Sequence, residues 1–366
     1  MRVPFYDIKA QYTELSTQLD QVTHEVLSSG NYAPGKYVKL LEEEIAAAHG
    51  VKHGIAVNSG TDALRILMDA AGIGRGDEVI TTAFTFVASV ETIMQTGATP
   101  VFVDIDPSTY QIDADLVEAA ITPRTKAILP IHLFGQLCPI RQIQAIAEKH
   151  GLIVLEDAAQ GLHCHNDDVY CGNYGLGAGF SFYVTKNLGA AGDGGMIVTN
   201  DDTIAESCRS IRVHGMGREG YYYDHLGYTS RLDEIQGAIL HVKLQAVPEW
   251  NARRDELAAI YFEVLSDSPV QLPITLPGNN NTRHQFTIRS HKRDALQAHL
   301  KTCEVDSMIY YPVPIHYHTP YAHLAARGSL PITEHVSNEV LSLPIHQHLS
   351  NDQVRFAAEA IRQFSH

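Results

Sequence analysis

The chain of 366 residues is longer than one small core requires, which predicts two domains or a large domain with a smaller one. Hydrophobic residues make up 45% of it and charged residues 19%, a composition typical of globular proteins and not of disordered ones. Lys and Arg number 27 against 42 Asp and Glu, and the net charge of −15 disfavours nucleic acid and anionic membranes as partners.

Targeting and redox signals point to the cytoplasm. No segment approaches the roughly 18 consecutive apolar residues of a membrane helix, and the first residues lack an apolar signal core. The cysteines are odd in number and form no CxxC pair, so we expect a reduced, cytoplasmic protein without disulfides or a zinc ribbon. They are Cys138, Cys164, Cys171, Cys208 and Cys303.

From about residue 50 to 200, short apolar runs alternate with helical patterns. Strands are predicted at 54–57, 78–81, 100–104, 126–130 and 152–155, with helices at 62–71, 87–94, 113–120 and 140–150. Strands that are apolar throughout and separated by helices favour a mostly parallel sheet covered on both faces.

The rhythm changes after Asp157. A Gly-rich stretch at 172–179 precedes predicted strands at 180–183 and 196–199, and a helical pattern over 232–265 is broken at Pro248. This break predicts a large α/β/α domain over 1–247 and a smaller α+β domain over 248–366. The smaller domain is expected to hold strands at 285–288 and 307–311 and helices at 293–300 and 353–364.

Three features carry candidate chemistry, and the first is Asn58-Ser59-Gly60-Thr61-Asp62, between a strand and a helix. Ser59 and Asp62 have the spacing of a capping box. Exposed N–H groups, Gly60 and two hydroxyls at a helix N-terminus suit one phosphate, although an ordinary helix cap explains the same residues.

The other two features are Asp157 and Lys186. Asp157 ends an apolar strand, where it could bind a metal, accept a proton, pair with a cationic ring nitrogen or merely cap a turn. Lys186 follows an apolar strand and precedes a Gly-rich turn, so it is either a buried nucleophile or a surface lysine. A phosphate cup, a strand-end carboxylate and a lysine together are what pyridoxal phosphate requires.

The sequence resembles the DegT/DnrJ/StrS-type sugar aminotransferases, which are pyridoxal-phosphate enzymes of the fold-type-I architecture. The resemblance covers nearly the whole chain and depends on motifs whose order and spacing are specific together. They are Asn-Ser-Gly-Thr-Asp-Ala-Leu (58–64), Thr-Phe-Val-Ala-Ser (85–89), Glu-Asp-Ala-Ala-Gln (156–160), Phe-Ser-Phe-Tyr-x-Thr-Lys-Asn-Leu-Gly-Ala (180–190), Gly-Asp-Gly-Gly (192–195) and Ser-Arg-Leu-Asp-Glu-Ile-Gln (230–236).

The resemblance implies a role for individual residues. Lys186 matches the lysine that forms a Schiff base with the cofactor and moves the proton, Asp157 the partner of the pyridinium nitrogen, and Gln160 the residue beside the ring hydroxyl. Phe86 matches an aromatic ring stacked on the cofactor, although it could also be plain core. The resemblance places the phosphate cup at Ser59, Gly60, Thr61 and Ser181, and substrate contacts at Tyr32, Tyr183, Arg231, Tyr311 and His316.

Three departures from the family pattern lie near the cofactor phosphate and the sugar site. Thr229 stands where the family usually has an asparagine that reaches the cofactor phosphate of the neighbouring subunit; its hydroxyl has a shorter reach. Tyr310-Tyr311-Pro312 replaces the usual His-Tyr-Pro. The stretch Gly161–His165 replaces a small residue followed by His-Gly.

The family implies transamination of a nucleotide-linked keto sugar, here a dTDP- or UDP-linked 3-keto hexose, with L-glutamate as amino donor. It also implies a homodimer in which the partner's region around Ser230 and Arg231 completes each site. A non-catalytic regulator, a sugar dehydratase and a cysteine desulfurase are the alternatives. A dehydratase would have histidine in place of Lys186, and a desulfurase a reactive cysteine loop.

Three patterns compete with this interpretation. Glycines at 72–76 and 175–179 do not form GxGxxG between a strand and a helix, so a dinucleotide site is not expected. The His-x-His pairs at 163/165, 316/318 and 346/348 lack further ligands, so no metal is expected. Tyr221-Tyr222-Tyr223 has no basic run beside it and is expected at the mouth of the active site or at a dimer interface.

Overall fold

The computed structural model describes residues 1–364, which form alternating helices and strands. The α-helices are α1 (Ile8–Ser29), α2 (Lys36–His49), α3 (Gly60–Ala70), α4 (Ala88–Gln95), α5 (Ala114–Val117), α6 (Ile140–His150), α7 (Asp202–Ile211), α8 (Glu234–Leu244), α9 (Val247–Leu265), α10 (Arg293–Thr302), α11 (Pro331–Glu339) and α12 (Asn351–Gln363). The strands are β1 (His53–Val57), β2 (Glu78–Thr82), β3 (Thr99–Val103), β4 (Thr125–Ile128), β5 (Ile153–Asp157), β6 (His165–Asn166), β7 (Val169–Tyr170), β8 (Gly177–Ser181), β9 (Gly195–Thr199), β10 (Asn279–Asn280), β11 (Phe286–Arg289) and β12 (Val340–Leu343).

A seven-stranded sheet in the order β1-β9-β8-β5-β4-β2-β3 forms the centre of the molecule. The pairs from β8 through β5, β4 and β2 to β3 are parallel, whereas β9 runs antiparallel to both of its neighbours, β8 and β1. The predicted mostly parallel sheet is therefore confirmed, with β9 as the reversed strand. Parallel strands place their carboxyl ends at one edge, and this edge is where a ligand site is expected.

Both faces of this sheet are buried because its apolar residues alternate between two cores. Ile55 and Val57 of β1 belong to one core, which α3 and α7 cover, and Ala56 belongs to the opposite core, which α2 and α6 cover. Side chains of a strand point alternately to its two faces, so a run that is apolar throughout requires helices on both. The large unit is accordingly an α/β/α sandwich.

A separate core lies in the C-terminal part of the chain. The antiparallel pair β11–β12 packs with α10, α12 and the second half of α9, whereas Trp250, nearer the start of α9, belongs to the large core. Val3 also packs in the C-terminal core and pairs with Val305. The division at residues 247/248 stays a prediction, but Pro248 does lie in the first turn of α9, as its helix-breaking character led us to expect.

Two predicted strands are corrected. The strand expected at 180–183 lies instead at Gly177–Ser181. Its glycines let it pack closely against α3, since a Cβ on Gly179 would be 2.9 Å from Leu64. The strand expected at 307–311 is reduced to one bridge between Met308 and Ser342, beyond which the chain turns towards the edge of the large sheet. No helix within residues 1–364 is long and apolar enough to cross a membrane.

Candidate active site

The carboxyl ends of β5 and β8 meet the N-terminus of α3 at one edge of the large sheet. Asp157 is the last residue of β5 and pairs with Gly179 of β8, two residues before Ser181. Gly60 opens α3 against Ser181, since a Cβ on Gly60 would lie 2.6 Å from the Ser181 Cβ. The structure thus brings together three of the predicted motifs.

The first turn of α3 has free backbone N–H groups of the kind that bind an anion. Ser59 Oγ caps the helix by accepting a hydrogen bond from the backbone N–H of Asp62 at 3.1 Å. The N–H groups of Gly60 and Thr61 have no acceptor within residues 1–364 and point outward from the helix start. The second half of the predicted capping box is absent here, because the Asp62 carboxylate pairs with Arg65 at 2.5 Å instead.

Asp157 is held rigidly at the end of β5. Its side chain is 4% exposed, and Oδ2 accepts a hydrogen bond from Ser89 Oγ at 2.6 Å. Oδ1 accepts a second hydrogen bond from the backbone N–H of Ala159 at 3.1 Å. Ser89 lies in the Thr-Phe-Val-Ala-Ser motif, but no role was predicted for it. Its hydroxyl lies one helical turn after Thr85, which is the only signal that would have found it.

Lys186 lies in the turn after β8, where its N–H donates to the carbonyl of Tyr183 at 2.8 Å. No residue among 1–364 forms a hydrogen bond or ion pair with its ammonium. Burial lowers the pKa of Lys186 from 10.5 to about 8, and the negative charge of Asp157 opposes this shift. A much larger fraction of the amine is therefore neutral near pH 7 than in an exposed lysine, although the protonated form still predominates there.

Gln160 joins this edge to the C-terminal part of the chain. Its Oε1 accepts a hydrogen bond from the backbone N–H of Phe134 at 2.7 Å, and its Nε2 donates to the Tyr311 hydroxyl at 3.1 Å. Burial raises the pKa of Tyr311, and the Asp157 charge adds to this, so the phenol stays protonated. Gln160 and Tyr311 were predicted for different ligands, and the structure shows them in direct contact.

An apolar cavity of about 430 Å³ opens beside these residues. Phe86 forms part of its wall with its side chain 57% exposed, and its ring centroid lies 6.4 Å from that of Tyr311. An aromatic ring so exposed inside a cavity is not core packing, which favours the predicted stacking surface. The remaining lining residues are Thr85, Val87, Pro312, Val313, Ile315, His318, Pro320 and Tyr321.

A second, polar cavity of about 520 Å³ lies on the outer side of the α3 N-terminus, with Ser59, Thr61 and Arg231 in its wall. Ser230 Oγ donates to Asn58 Oδ1 of the same chain at 3.1 Å, which fixes this segment beside the anion site. The chain's own Arg231 therefore lines a cavity beside the N-terminus of α3, and the predicted contribution of a partner's Arg231 stays a prediction.

The remaining predicted contacts are less closely grouped. Thr229 Oγ1 lies 2.9 Å from His214 Nε2, Tyr183 is exposed, and the Tyr32 hydroxyl donates to the Leu27 carbonyl at 3.3 Å. None of these three lines either cavity.

His316 does not line the apolar cavity. It is 1% exposed, and its Nε2 lies 3.0 Å from Glu334 Oε1 behind the cavity wall. The predicted substrate contact of His316 is thus not supported, because the pair with Glu334 holds the ring inward, whereas His318 of the same motif lines the cavity. No cluster of three or more potential metal ligands occurs in residues 1–364.

A family model described as the DegT/DnrJ/EryC1/StrS aminotransferase family matches residues 14–362. A pleiotropic regulatory protein of Geobacillus stearothermophilus is 48% identical over 100% of this chain and 99% of its own length. A UDP-N-acetyl-3-dehydro-α-D-glucosamine 3-aminotransferase of Acidithiobacillus ferrooxidans is 41% identical, covering 100% of this chain and 98% of its own.

Among solved structures, that of S. venezuelae DesV in complex with a ketimine intermediate superposes with a TM-score of 0.97. The two sequences are 42% identical, and the match covers 99% of this chain and 98% of the other. The fold and the arrangement of the whole chain are thus those of this relative.

Proposed function

The chain belongs to the DegT/DnrJ/EryC1/StrS aminotransferase family, and on that premise we propose that it converts a nucleotide-linked keto sugar to the amino sugar. The cofactor is pyridoxal 5'-phosphate and the amino donor is L-glutamate. The substrate is a 3-keto hexose carried on UDP or dTDP; the 41% identity to a UDP-linked 3-aminotransferase supports carbon 3.

The residues at the sheet edge fit this cofactor. Free N–H groups of Gly60 and Thr61 suit a phosphate, and any side chain at position 60 would collide with Ser181, so the cup requires glycine. The hydrogen-bonded carboxylate of Asp157 suits a protonated ring nitrogen. The unpaired Lys186 amine suits an aldehyde, because only the neutral amine is nucleophilic.

When bound, pyridoxal phosphate supplies a carbonyl that carries the amino group and a ring that delocalises electrons released at the substrate carbon. With the cofactor bound, Lys186 Nζ, whose pKa is about 8, would accept the proton released at the donor carbon, and in the second half of the cycle it would deliver a proton to the sugar carbon that becomes aminated. Glutamate leaves as 2-oxoglutarate, and the keto carbon of the sugar becomes the amine-bearing carbon.

Ser89 and the Ala159 N–H hold both carboxylate oxygens of Asp157, which would therefore stay charged and pair with the ring nitrogen of a bound cofactor. Gln160 and Tyr311 form the neighbouring wall, and Phe86 would provide the aromatic surface for the bound ring. The sugar then lies in the apolar cavity, with its anionic phosphates towards Arg231 and the α3 N-terminus. This local arrangement offsets the acidic surface of the chain as a whole.

The alternatives are less well supported. The name of the Geobacillus relative suggests a purely regulatory role. Such a role would not need a desolvated lysine near a fixed carboxylate. A dehydratase is disfavoured by Lys186. A cysteine desulfurase would need a reactive thiol, but burial raises the pKa of Cys138, Cys171 and Cys208 and leaves these thiols protonated.

We further propose that the chain works as a cytoplasmic homodimer in which the partner's region around Ser230 and Arg231 adds to each site. The loop that precedes Tyr228 supports a dimer because its apolar side chains are strongly exposed: Tyr221 is 91% exposed and Leu226 is 99% exposed. All five cysteines are free, which is consistent with a reducing compartment.

The observation that carries the proposed activity is the buried Lys186 amine without a hydrogen-bond partner among residues 1–364, near enough to Asp157 for the carboxylate charge to act on it. The test is incubation with glutamate and a panel of UDP- and dTDP-linked 3-keto and 4-keto hexoses, with mass detection of the amino sugar. We expect product from a 3-keto sugar, none from Lys186→Ala, and normal turnover from Lys149→Ala, which alters an exposed lysine paired with Glu118. Full turnover by Lys186→Ala would refute the mechanism.

A further inference from the structure

We propose that His284 is a positioning residue for Lys186 and acts through the side chain of Asn187. No role was predicted from the sequence for His284 or for Asn187, although Asn187 stands in the motif at 180–190. The inference rests on the proposed role of Lys186, since it concerns where that amine is held.

Asn187 follows Lys186 directly, and its side chain is fully engaged. Nδ2 donates to Asn251 Oδ1 at 2.8 Å and to the carbonyl of Thr282 at 2.8 Å. Oδ1 lies 3.0 Å from His284 Nδ1. Asn187 is 6% exposed and His284 5%, so water does not compete for these bonds.

The network fixes the tautomer of His284. Both N–H groups of Asn187 are used, and the reverse amide orientation would place its oxygen against the carbonyl oxygen of Thr282. Asn187 Oδ1 is therefore an acceptor, and His284 Nδ1 must carry the hydrogen that it accepts. Burial lowers the pKa of His284 well below its usual value, and the charges of Lys186 and Arg254 lower it further. The ring is thus a neutral Nδ1–H donor.

The segment that carries His284 is itself anchored to the other side of the cofactor site. The backbone N–H of Thr282 donates to the Gly135 carbonyl at 2.9 Å, and that of His284 donates to the Phe134 carbonyl at 3.0 Å. Phe134 in turn donates its N–H to Gln160 Oε1 at 2.7 Å. The segment 282–284 therefore connects the turn that carries Lys186 to Gln160 through hydrogen bonds.

This arrangement has a consequence that a merely packed buried histidine would not have. Without the His284–Asn187 hydrogen bond, Asn187 keeps only its bonds to Asn251 and Thr282, so the turn that carries Lys186 is held less firmly and its amine gains solvent and mobility. Solvation of the ammonium raises the pKa of Lys186 from about 8 towards 10.5. A misplaced amine also slows proton transfer more than it weakens substrate binding.

The test uses two variants and two measurements. His284→Asn keeps an N–H donor near the position of Nδ1, whereas His284→Leu removes it. The pKa of Lys186 is measured in the cofactor-free protein from the pH dependence of its labelling by trinitrobenzenesulfonate, located by peptide mass analysis; turnover is measured with the loaded enzyme. We expect His284→Leu to raise the pKa by about one unit or more and lower kcat about tenfold with KM unchanged, and His284→Asn to change kcat less than about threefold.

Asn187→Ala removes the same hydrogen bond from the other side and serves if His284→Leu does not fold. Either variant that lowers the unfolding temperature but leaves the pKa of Lys186 and kcat unchanged would overturn the proposal and show a purely structural role. Full turnover by Lys186→Ala would instead refute the proposed function, while the labelling measurement would still report whether His284 controls the environment of Lys186.

Discussion

Ser89 Oγ donates a 2.6 Å hydrogen bond to Asp157 Oδ2, which fixes the carboxylate at the end of β5 from helix α4. The Ser89 hydroxyl also lies 2.9 Å from Thr85 Oγ1, so a second hydroxyl orients it. A hydrogen bond to a charged acceptor contributes about 1.5–3 kcal/mol, more than one between neutral groups. Ser89 therefore supports the carboxylate proposed to pair with the ring nitrogen.

We predict that Ser89→Ala lowers kcat by roughly 10-fold, because Asp157 loses one of its two hydrogen bonds and its orientation. Steady-state kinetics with glutamate and the keto sugar would measure this effect. Thr92→Val is the matched control: it removes a hydroxyl that bonds only to backbone carbonyls of α4. Equal rates for Ser89→Ala and the unaltered protein would show that Ala159 N–H alone suffices to hold the carboxylate.

The depressed pKa of Lys186 predicts a pH-dependent contribution to stability. Its folded pKa of about 8 is below the ordinary 10.5, so the folded state binds fewer protons than the unfolded state between these values. Stability therefore rises with pH across this window, and below pH 8 the buried charge costs free energy. Lys186→Met removes that cost, and we expect the cofactor-free variant to be about 1–2 kcal/mol more stable at pH 7.

The measurement is calorimetric unfolding of the cofactor-free proteins at pH 7 and pH 10. The advantage of Lys186→Met is expected to shrink towards zero at the higher pH, since other groups titrate alike in both proteins. Lys149→Met alters a lysine whose side chain is 65% exposed and should show no such trend. A pH-independent difference would mean that Lys186 is ordinarily solvated.

The site could be predicted from local sequence where adjacent residues act together. The helix cap at Ser59 and the strand-end position of Asp157 follow from a strand, a turn and a helix in sequence, and the structure has both where they were predicted. Contacts between distant residues could not be read in this way. Gln160 and Tyr311 are 151 positions apart, and no periodicity brings them together.

The same limit applies to the fold. Helices α1, α2, α7 and α11 were not predicted; α1 buries only Gln11, Leu19, Val22 and Val26 among its 22 residues, so its apolar stripe is thin. Its ends were nevertheless readable, because Asp7 caps the start and Gly30 ends it with a φ of 67°. The inward turn of His316 depends on Glu334, whose own position is set by helix α11, and a motif alone does not show this.

The exposed ring of Phe86 predicts a loss of cofactor affinity on truncation. Phe86→Ala removes a stacking surface that contributes about 0.5–1.5 kcal/mol, so we expect the dissociation constant of pyridoxal phosphate to rise roughly 2- to 10-fold. Absorbance titration of the cofactor-free protein measures it directly. Val313→Ala changes the same cavity at a residue without an aromatic ring and should leave cofactor affinity unchanged. Unchanged affinity of Phe86→Ala would place the ring in substrate binding alone.

The apolar side chains exposed in the loop that precedes Tyr228 predict an interface through which two copies of the chain associate. Tyr228 anchors the loop by donating to Asp69 at 2.8 Å and by stacking under Arg65, whose guanidinium lies 3.7 Å from the ring centroid. The part of the loop that precedes Tyr228 exposes apolar surface to solvent, with Leu226 99% exposed, and such surface is typical of an interface.

We expect Leu226→Asp to convert a dimer into monomers with reduced turnover, because burying the new carboxylate in an interface is costly. Light scattering coupled to size-exclusion chromatography would measure the mass. Leu116→Asp alters a leucine that is 42% exposed in α5, away from this loop, and should leave both mass and turnover unchanged. If the unaltered protein were itself a fully active monomer, the proposed contribution of a partner's Arg231 would be wrong, and the Arg231 of the same chain would have to serve the site alone.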